Sequence, residues 1–253
     1  MSQIVTVANQ KGGVGKTTTV INLASGLAIV GKKTLIVDLD PQSNASTGLG
    51  VDYKNRKHTI YDCLIQDLDI NKAIYKTLVP DLDIVAANMD LAAAEIELTS
   101  VNGKEYILKN VLSKITGKYD YIIIDSPPSL GLLTLNGLVA CHEVLIPMQC
   151  EFFALEGLSH LLKTIELVKR KLNTSLKIKA IVLTMHDRRN GLTATVEQDV
   201  RNHLSTLVYN TVIPRNVKLS EAPSYGKPGV IYDFKSTGAM AYINLVKEFL
   251  NKN

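Results

Sequence analysis

The residues best suited to chemistry in this 253-residue chain form one short segment rich in glycine and lysine. It consists of Lys11, Gly12, Gly13, Val14, Gly15, Lys16, Thr17 and Thr18. Glycines let the backbone bend so that several N–H groups point at one anion, and a helix that begins there adds the positive end of its dipole. Lys16 would contact the β- and γ-phosphates, and the Thr17 hydroxyl would bind Mg²⁺. The segment therefore predicts a phosphate loop with ATP and Mg²⁺ as its ligands.

This segment departs from the usual phosphate-loop pattern G-x-x-x-x-G-K-[ST], because Gln10 stands where the first glycine belongs. An additional lysine, Lys11, follows it. The alternative of a chance glycine-rich turn is weak, because the segment lies directly between a predicted strand and a predicted helix. The departure concerns the first residues of the loop and leaves the Gly-Lys-Thr end intact.

Carboxylates follow two further predicted strands. Asp38 and Asp40 close one strand, and Pro41 stops it. Asp125 comes after four apolar or aromatic residues, the arrangement that places a carboxylate beside a nucleotide-bound metal. Mg²⁺ keeps much of its hydration, so Asp125 is expected to act through water. The sequence predicts a metal site formed by Thr17, Asp40 and Asp125.

Apolar, β-branched runs and helical patterns alternate along the chain and must position these groups. Strands are predicted at residues 4–8, 34–37, 82–86, 121–124, 144–147, 178–183 and 208–213, and helices at 18–30, 155–172, 193–207 and 239–250. Alternation of this kind predicts a single α/β domain over residues 1–253, with a mostly parallel, doubly wound sheet and helices on both faces. Ligands of such a sheet gather at the carboxyl ends of its strands, where the motifs above fall.

Composition excludes several other classes of protein. Cys63, Cys141 and Cys150 are widely spaced and form no zinc or redox motif. No window approaches the roughly 20 apolar residues of a membrane-spanning helix, and no secretory signal opens the chain, so a cytoplasmic location is expected. Residues 160–253 carry 15 Lys and Arg against 7 Asp and Glu. That excess indicates either a polyanionic partner or an ordinary solvated lysine surface.

Taken together, these motifs resemble the deviant Walker A family of ParA/Soj partition ATPases, within the wider class that includes MinD and the nitrogenase iron protein. The resemblance runs nearly end to end and includes Asp38-Leu39-Asp40-Pro41-Gln42, Ile124-Asp125-Ser126-Pro127-Pro128 and Ser220-Glu221-Ala222-Pro223-Ser224-Tyr225-Gly226. It implies an ATPase with slow intrinsic hydrolysis.

The same resemblance implies particular roles for several residues. Lys11 would reach across a homodimer to the nucleotide of the facing subunit, and Gly12 would allow two backbones to approach. Asp40 would orient the attacking water, while Asp38 would belong to the structure around Mg²⁺. The adenine pocket is expected to involve Pro214 and Asn216, with Met185 and Asp187 as further candidates. Catalysis is thus assigned to Lys11, Lys16 and Asp40.

The resemblance further implies that the ATP-bound dimer binds double-stranded DNA without sequence preference and is stimulated by a ParB-type centromere-binding protein on the nucleoid. Candidate DNA contacts are Arg188, Arg189, Arg215, Lys218 and Lys227. Because the loop begins at residue 11, no helix-turn-helix extension is expected before it, which argues against operator-specific repression.

Two alternatives belong to the same wider class. A MinD-like membrane switch needs a basic amphipathic tail, whereas residues 239–250 indicate a core-packing helix, so stable membrane binding is not expected. An electron-transfer ATPase needs cluster-binding cysteines, and none follows Asp125 before Cys141.

Overall fold

The computed structural model describes residues 2–187 and 189–251, which fold around one seven-stranded sheet. The strands are β1 (Gln3–Val7), β2 (Thr34–Asp38), β3 (Ile74–Lys76), β4 (Leu82–Val85), β5 (Tyr121–Asp125), β6 (Glu143–Gln149) and β7 (Lys177–Thr184). Their order across the sheet is β3-β4-β2-β5-β1-β6-β7, and every pairing is parallel except that of β3 with β4. The predicted α/β fold with a mostly parallel sheet is confirmed.

Helices connect the strands and cover both faces of the sheet. They are α1 (Lys16–Ile29), α2 (Asn44–Gly48), α3 (Ile60–Ile65), α4 (Leu91–Glu97), α5 (Ile107–Ser113), α6 (Leu132–Ala140), α7 (Ala154–Lys171), α8 (Gly191–Leu204), α9 (Val217–Glu221), α10 (Gly229–Tyr232) and α11 (Thr237–Asn251). Short 3₁₀ turns lie at Tyr53–Asn55, Ile70–Ala73, Leu98–Ser100, Lys104–Tyr106 and Ala222–Tyr225. The four helices that the sequence predicts are present, with bounds shifted by one to three residues.

Two apolar layers flank the sheet, because successive strand side chains point to opposite faces. Val5 and Val7 of β1 lie in the layer that α1 and α11 cover. Ile4 lies in the opposite layer, which receives apolar side chains from α3 to α8. Both faces of the central strands are therefore buried, and polar residues that follow these strands meet at one carboxyl edge.

The sheet differs from the predicted one at both edges. The antiparallel edge strand β3 is not predicted, and the predicted strand at residues 208–213 is absent as a strand. Only single bridges form there, with Val208 beside Ile181 and Pro214 beside His186. The reason lies in α11, because the Glu248 carboxylate accepts the backbone N–H groups of residues 210 and 211 at 2.8 and 2.9 Å, so a side chain replaces strand pairing.

The amphipathic helix α11 buries its apolar face in the core. Tyr242, Leu245 and Phe249 are buried, and the helix lies so close to α1 that a Cβ added at Gly26 would stand 2.5 Å from Val246 Cγ2. A helix that lies on a membrane needs a free apolar face, which this packing does not leave. Among the described residues, none of the helices has the length and apolar character required to cross a membrane.

Candidate nucleotide and magnesium site

The loop between β1 and α1 has the backbone shape that its glycines allow. Gly13 and Gly15 both have left-handed backbone conformations, with φ of +77° and +83°. Residues with a Cβ rarely adopt this region, so both positions favour glycine. The turn at Gly15 lets α1 begin at Lys16, and the positive end of the helix therefore faces the concave side of the loop.

Side-chain hydrogen bonds join this loop to the neighbouring strands β6 and β7. Asn9 donates from Nδ2 to the Pro147 carbonyl oxygen of β6 at 2.7 Å. Thr184, the last residue of β7, donates from Oγ1 to the Val14 carbonyl oxygen at 2.8 Å. All these groups are buried or nearly so. The loop is consequently preorganised before any phosphate binds, which lowers the cost of ordering it.

Lys16 is buried at the start of α1, with only 7% of its surface exposed. Its ammonium donates to the backbone carbonyl oxygen of Lys11 at 3.1 Å, and so lies across the loop. Burial lowers the pKa of Lys16, while the nearby charges of Asp125 and Asp40 act in the opposite direction. A desolvated cation in this position is well placed to attract a phosphate group.

Three carboxylates meet beside this lysine at the carboxyl edge of the sheet. The pairing of β2 with β5 places Asp38 directly opposite Asp125, and Asp40 follows β2 by two residues. Asp38 and Asp125 are fully buried, and Asp40 is 7% exposed. So much negative charge out of water requires compensation by cations, of which Lys16 is one.

Both carboxylate oxygens of Asp38 accept hydrogen bonds from the protein itself. Its Oδ2 accepts hydrogen bonds from the Ser46 backbone N–H at 2.9 Å and the Ser46 hydroxyl at 2.7 Å, and its Oδ1 accepts the Asp40 N–H at 3.2 Å. Burial nevertheless raises the pKa of Asp38 to about 6, against the effect of these hydrogen bonds. The carboxyl group thus fixes the turn after β2, in agreement with the structural role expected for it.

Asp125 is the opposite case. Neither of its buried oxygens has a hydrogen-bond partner of ordinary geometry among the described residues, although the Thr17 side chain is near enough to lower its pKa. Burial, followed by the charge of Asp38, raises the pKa of Asp125 well above its usual value. Unpaired buried acceptors of this kind are costly unless a cation satisfies them.

The surroundings of Asp125 fit Mg²⁺. In the described part of the chain, no group of three or more His, Cys, Asp or Glu side chains could enclose a metal. Mg²⁺ does not need such a cage, since it usually takes one or two protein ligands and completes its shell with phosphate oxygens and water. Asp125 and the Thr17 hydroxyl therefore suffice on the protein side.

Asp40 lines the opening through which a phosphate chain would reach these groups. Its Oδ1 accepts the Gln42 backbone N–H at 2.9 Å, which holds the side chain in place. Lys16, Thr17, Gln42 and Pro128 share this cavity of about 390 Å³ with it. The three residues predicted to bind metal thus lie close together, and Thr17 is the most exposed of them.

A second pocket adjoins the phosphate cavity and contains three of the four residues predicted near the base. Met185, Pro214 and Asn216 line it, and Met185 also lines the phosphate cavity, so the two spaces share a wall. Met185 has a left-handed φ of +48°, a strained conformation for a side chain of this size. Asn216 caps α9 by accepting the Leu219 N–H.

Asp187 lies outside that pocket. It borders a neighbouring cavity, where its carboxylate accepts from Arg189 Nε and Nη2, each at 3.0 Å. These hydrogen bonds lower the pKa of Asp187 to about 2. The prediction that Asp187 contacts the base therefore finds no support in the structure, because the side chain turns toward arginine.

Sequence reasoning missed Tyr242, which lines the base pocket from α11. Its ring is 1% exposed and its hydroxyl lies 3.1 Å from the Thr19 hydroxyl in α1. Nothing in the local sequence marks it, since Tyr242 occupies an ordinary apolar position of an amphipathic helix. Only the packing of α11 on α1 brings it to the site.

Lys11 differs sharply from Lys16. Its ammonium points away from the loop and forms an ion pair with Glu151, a residue that the sequence analysis did not single out. The side chains of Lys11 and Glu151 are 40% and 43% exposed. Lys11 therefore lies at the surface beside the phosphate loop and outside the cavity that Lys16 occupies.

The predicted DNA contacts occupy the surface near the base pocket. Arg189, Arg215, Lys218 and Lys227 are exposed, whereas Arg188 lies outside the described residues. Two of them have acidic partners, because Arg189 pairs with Asp187 and Lys218 with Glu221.

Known proteins similar to this chain point to one family. A family model described as an AAA domain matches residues 2–178. The sporulation initiation inhibitor protein Soj of Bacillus subtilis is 51% identical over 248 residues, which cover 98% of both chains. The chromosome partitioning protein ParA of Myxococcus xanthus is 48% identical over 100% of this chain and 89% of its own. The chromosome-partitioning ATPase Soj of Treponema pallidum is also 48% identical, over 100% and 99%.

Among solved structures, cobyrinic acid a,c-diamide synthase from Mycobacterium smegmatis, with bound ADP and magnesium, has a TM-score of 0.87. It is 38% identical, over 99% of this chain and 95% of that one. Its name describes a different activity, but the partition proteins share more residues with this chain. About half of all positions are identical to those partition proteins over nearly the full length, and the chain therefore belongs to the ParA/Soj family of chromosome-partitioning ATPases.

Proposed function

We propose that this ATPase works in DNA partition as a nucleotide-switched homodimer that binds duplex DNA in its ATP state and leaves it after hydrolysis. The observation that carries the proposal is the contrast within the loop: Lys16 is buried toward its own phosphate cavity, whereas Lys11 is exposed beside it. A lysine outside its own site is free to serve a nucleotide that a second copy presents. Dimerisation would then depend on ATP.

On the protein side, Thr17 and Asp125 are the residues that would hold Mg²⁺. When bound, Mg²⁺ neutralises charge on the β- and γ-phosphates. Asp125 gains the partner that its buried oxygens lack, and Lys16 binds the phosphates from the start of α1. This arrangement favours MgATP over free phosphate, because several weak contacts converge on one triphosphate chain.

Hydrolysis depends on Asp40 and on both lysines. Asp40, held by the Gln42 N–H at the opening of the cavity, orients the attacking water. Lys16 from the same subunit and Lys11 from the facing subunit stabilise charge on the phosphoryl group. Because an aspartate is a modest base at neutral pH, intrinsic hydrolysis is slow and leaves room for stimulation by a ParB-type partner.

DNA binding is assigned to the exposed side chains of Arg189, Arg215, Lys218 and Lys227, together with Arg188, which lies outside the described residues. Neutralising phosphates needs only well-placed cations, so no base-reading element is required. Dimerisation doubles the number of such cations on one particle, and the salt dependence of binding steepens with every phosphate contact. DNA association in the ATP state would place the protein on the nucleoid.

Measuring the affinity for random-sequence duplex DNA with ADP, with ATP and without nucleotide, at 50 and 200 mM salt, tests the proposal. We expect tight, salt-sensitive binding with ATP and at least about tenfold weaker binding in the other two states. Equal binding in all three states would reject the nucleotide switch. The absence of salt-sensitive binding with ATP would reject the assigned role in DNA partition.

A further inference from the structure

The ion pair of Lys11 with Glu151 bears directly on the dimer. Glu151 lies on the turn between β6 and α7, and β6 is the neighbour of β1, from which the phosphate loop emerges. The Lys11 ammonium and the Glu151 carboxylate contact each other on the surface beside the loop, each about half exposed. The position of Lys11 in the single subunit is therefore set by a specific acidic partner.

The loop and this turn are also joined through Asn9. Its Oδ1 accepts the Lys11 backbone N–H at 2.9 Å, and its Nδ2 donates to the carbonyl oxygen of Pro147 in β6 at 2.7 Å. These two hydrogen bonds fix the backbone of Lys11 relative to β6, the strand that leads into the turn with Glu151. The ion pair thus forms on a rigid frame and needs no rearrangement of the loop.

Next to Glu151, the chain exposes two aromatic rings. Phe152 and Phe153 are 74% and 68% exposed, and their rings pack edge to face with centroids 5.0 Å apart. Apolar surface next to an exposed lysine that is expected to contact a second copy is suited to be covered by that copy. Closure of the dimer would then bury these two rings, while Glu151 at the edge of them stays open to water.

We propose that Glu151 is a positioning residue that holds Lys11 on its own subunit and competes with its transfer to the facing nucleotide. This inference rests on the proposed function, in which Lys11 acts across the dimer. An ammonium that has one carboxylate partner must leave it before it can bind a phosphate chain. Because Glu151 is half exposed, water solvates its carboxylate after Lys11 leaves, so the competition is modest and reversible.

The size of the effect follows from the exposure of the pair. Exposed ion pairs change an equilibrium by about 1.4- to 5-fold. Both subunits must release their lysine on closing, so the factor applies twice. Removing the charge of Glu151 is therefore expected to strengthen ATP-dependent dimerisation by about 2- to 30-fold, with the largest gain at low salt.

Sedimentation velocity of the full chain with Mg²⁺ and the analogue AMPPNP, at 50 and 300 mM salt, tests this proposal. Glu151→Gln is compared with Glu156→Gln, which removes an equally negative but exposed side chain from the first turn of α7. Glu151→Asp keeps the charge with a shorter reach. We expect dimer dissociation constants about 2- to 30-fold lower for Glu151→Gln, unchanged for Glu156→Gln and intermediate for Glu151→Asp.

A merely structural role of Glu151 would change thermal stability without this salt-dependent gain, so melting temperatures are measured in parallel. Equal or weaker dimerisation of a folded Glu151→Gln variant overturns the proposal while the proposed function stands. If the wild type itself remains monomeric with AMPPNP, the proposed function fails, and this inference fails with it. Convergence of the variants at 300 mM salt supports an electrostatic origin.

Discussion

Lys11 and Lys16 lie five residues apart in one loop, yet the fold treats them in opposite ways. Lys16 is the first residue of α1, is almost fully buried and faces Asp125 and Asp40. Lys11 precedes the two glycines, stays at the surface and pairs with Glu151. The left-handed turns at Gly13 and Gly15 separate the two, because the chain reverses direction between them.

Under the proposed function, this difference would let one loop serve two subunits. A buried lysine whose charge is offset by carboxylates can act only on a ligand that enters its own cavity. An exposed lysine held by a single carboxylate can act on whatever approaches the surface. The comparison therefore separates nucleotide binding from dimerisation by position alone, and substitutions at each position should separate the two experimentally.

Lys16→Ala should have the largest effect on nucleotide binding. The substitution removes the charge-assisted contacts to the phosphates and leaves Asp125 and Asp40 without their nearest cation, so we expect the affinity for MgATP to fall about 100-fold. Isothermal titration calorimetry measures it. Lys32→Ala, at an exposed position beyond α1, is the control. Wild-type affinity of Lys16→Ala would refute the assignment of Lys16.

Asp40→Ala tests whether the site around the buried Lys16 carries out ATP hydrolysis. Without a group to orient water, hydrolysis should fall about 100-fold, while binding of ATP persists because Lys16 and Thr17 remain. Phosphate release measures the rate, and the lifetime of the ATP-bound protein on DNA should lengthen in parallel. If Asp40→Ala hydrolyses ATP at the wild-type rate, another residue positions the water.

Lys11→Ala should reverse the pattern of Lys16→Ala. Because its side chain lies outside the cavity, we expect MgATP affinity within about threefold of the wild type, but loss of the ATP-dependent dimer and about tenfold slower hydrolysis. Calorimetry and sedimentation velocity on the same samples measure both quantities. Equal losses of ATP affinity in the two lysine variants would mean that Lys11 belongs to its own site.

The loop and the buried carboxylates were predictable because the information is local. A strand followed by glycines, lysine and threonine places these groups at the start of a helix. Asp125 ends an apolar strand, so its position at the carboxyl edge of the sheet also follows from the local sequence. The partner of Lys11 was not predictable, because Glu151 is 140 residues away and reaches it only through the pairing of β1 with β6.

The same limit applies to residues 208–213 and to Asp187. Residues 208–213 have the composition of a strand, but Glu248 from α11 takes two of their backbone N–H groups. Asp187 follows β7 as a base contact should, yet the neighbouring Arg189 draws its carboxylate away. In the first case the competing contact joins a side chain to the backbone, and in the second it joins two side chains. Neither contact can be read from the local sequence pattern.

The buried carboxyl group of Asp38 should make the stability of the fold depend on pH. Its folded pKa of about 6 lies above the value of about 3.9 in unfolded chains, so the folded state binds the proton more tightly. The contribution of Asp38 to stability should therefore fall as pH rises from 4 to 6, by up to about 3 kcal/mol, and then level off. Asp38→Asn should remove this part of the pH dependence, as measured by urea unfolding.

An exposed carboxylate provides the control for that experiment. Asp67 has a side chain that is 93% exposed, and Asp67→Asn should leave the slope of unfolding free energy against pH between 4 and 6 as in the wild type. If Asp38→Asn retains the full wild-type slope, Asp38 is ionised at low pH in the folded state. The assignment of its burial as the dominant cause would then be wrong.

The smallest expected effects on stability are those of alanine substitutions at Gly12 and Gly13. Gly13 has a φ of +77°, so Gly13→Ala should lower the free energy of unfolding by about 1 kcal/mol. A Cβ at Gly12 would meet no atom within 4 Å, so Gly12→Ala should change it by less than about 0.5 kcal/mol. Yet Gly12→Ala should abolish the ATP-dependent dimer, because its methyl group stands where two loops approach. Urea unfolding and sedimentation velocity together decide, and normal dimerisation of Gly12→Ala would show that the second subunit approaches Lys11 without touching the loop backbone.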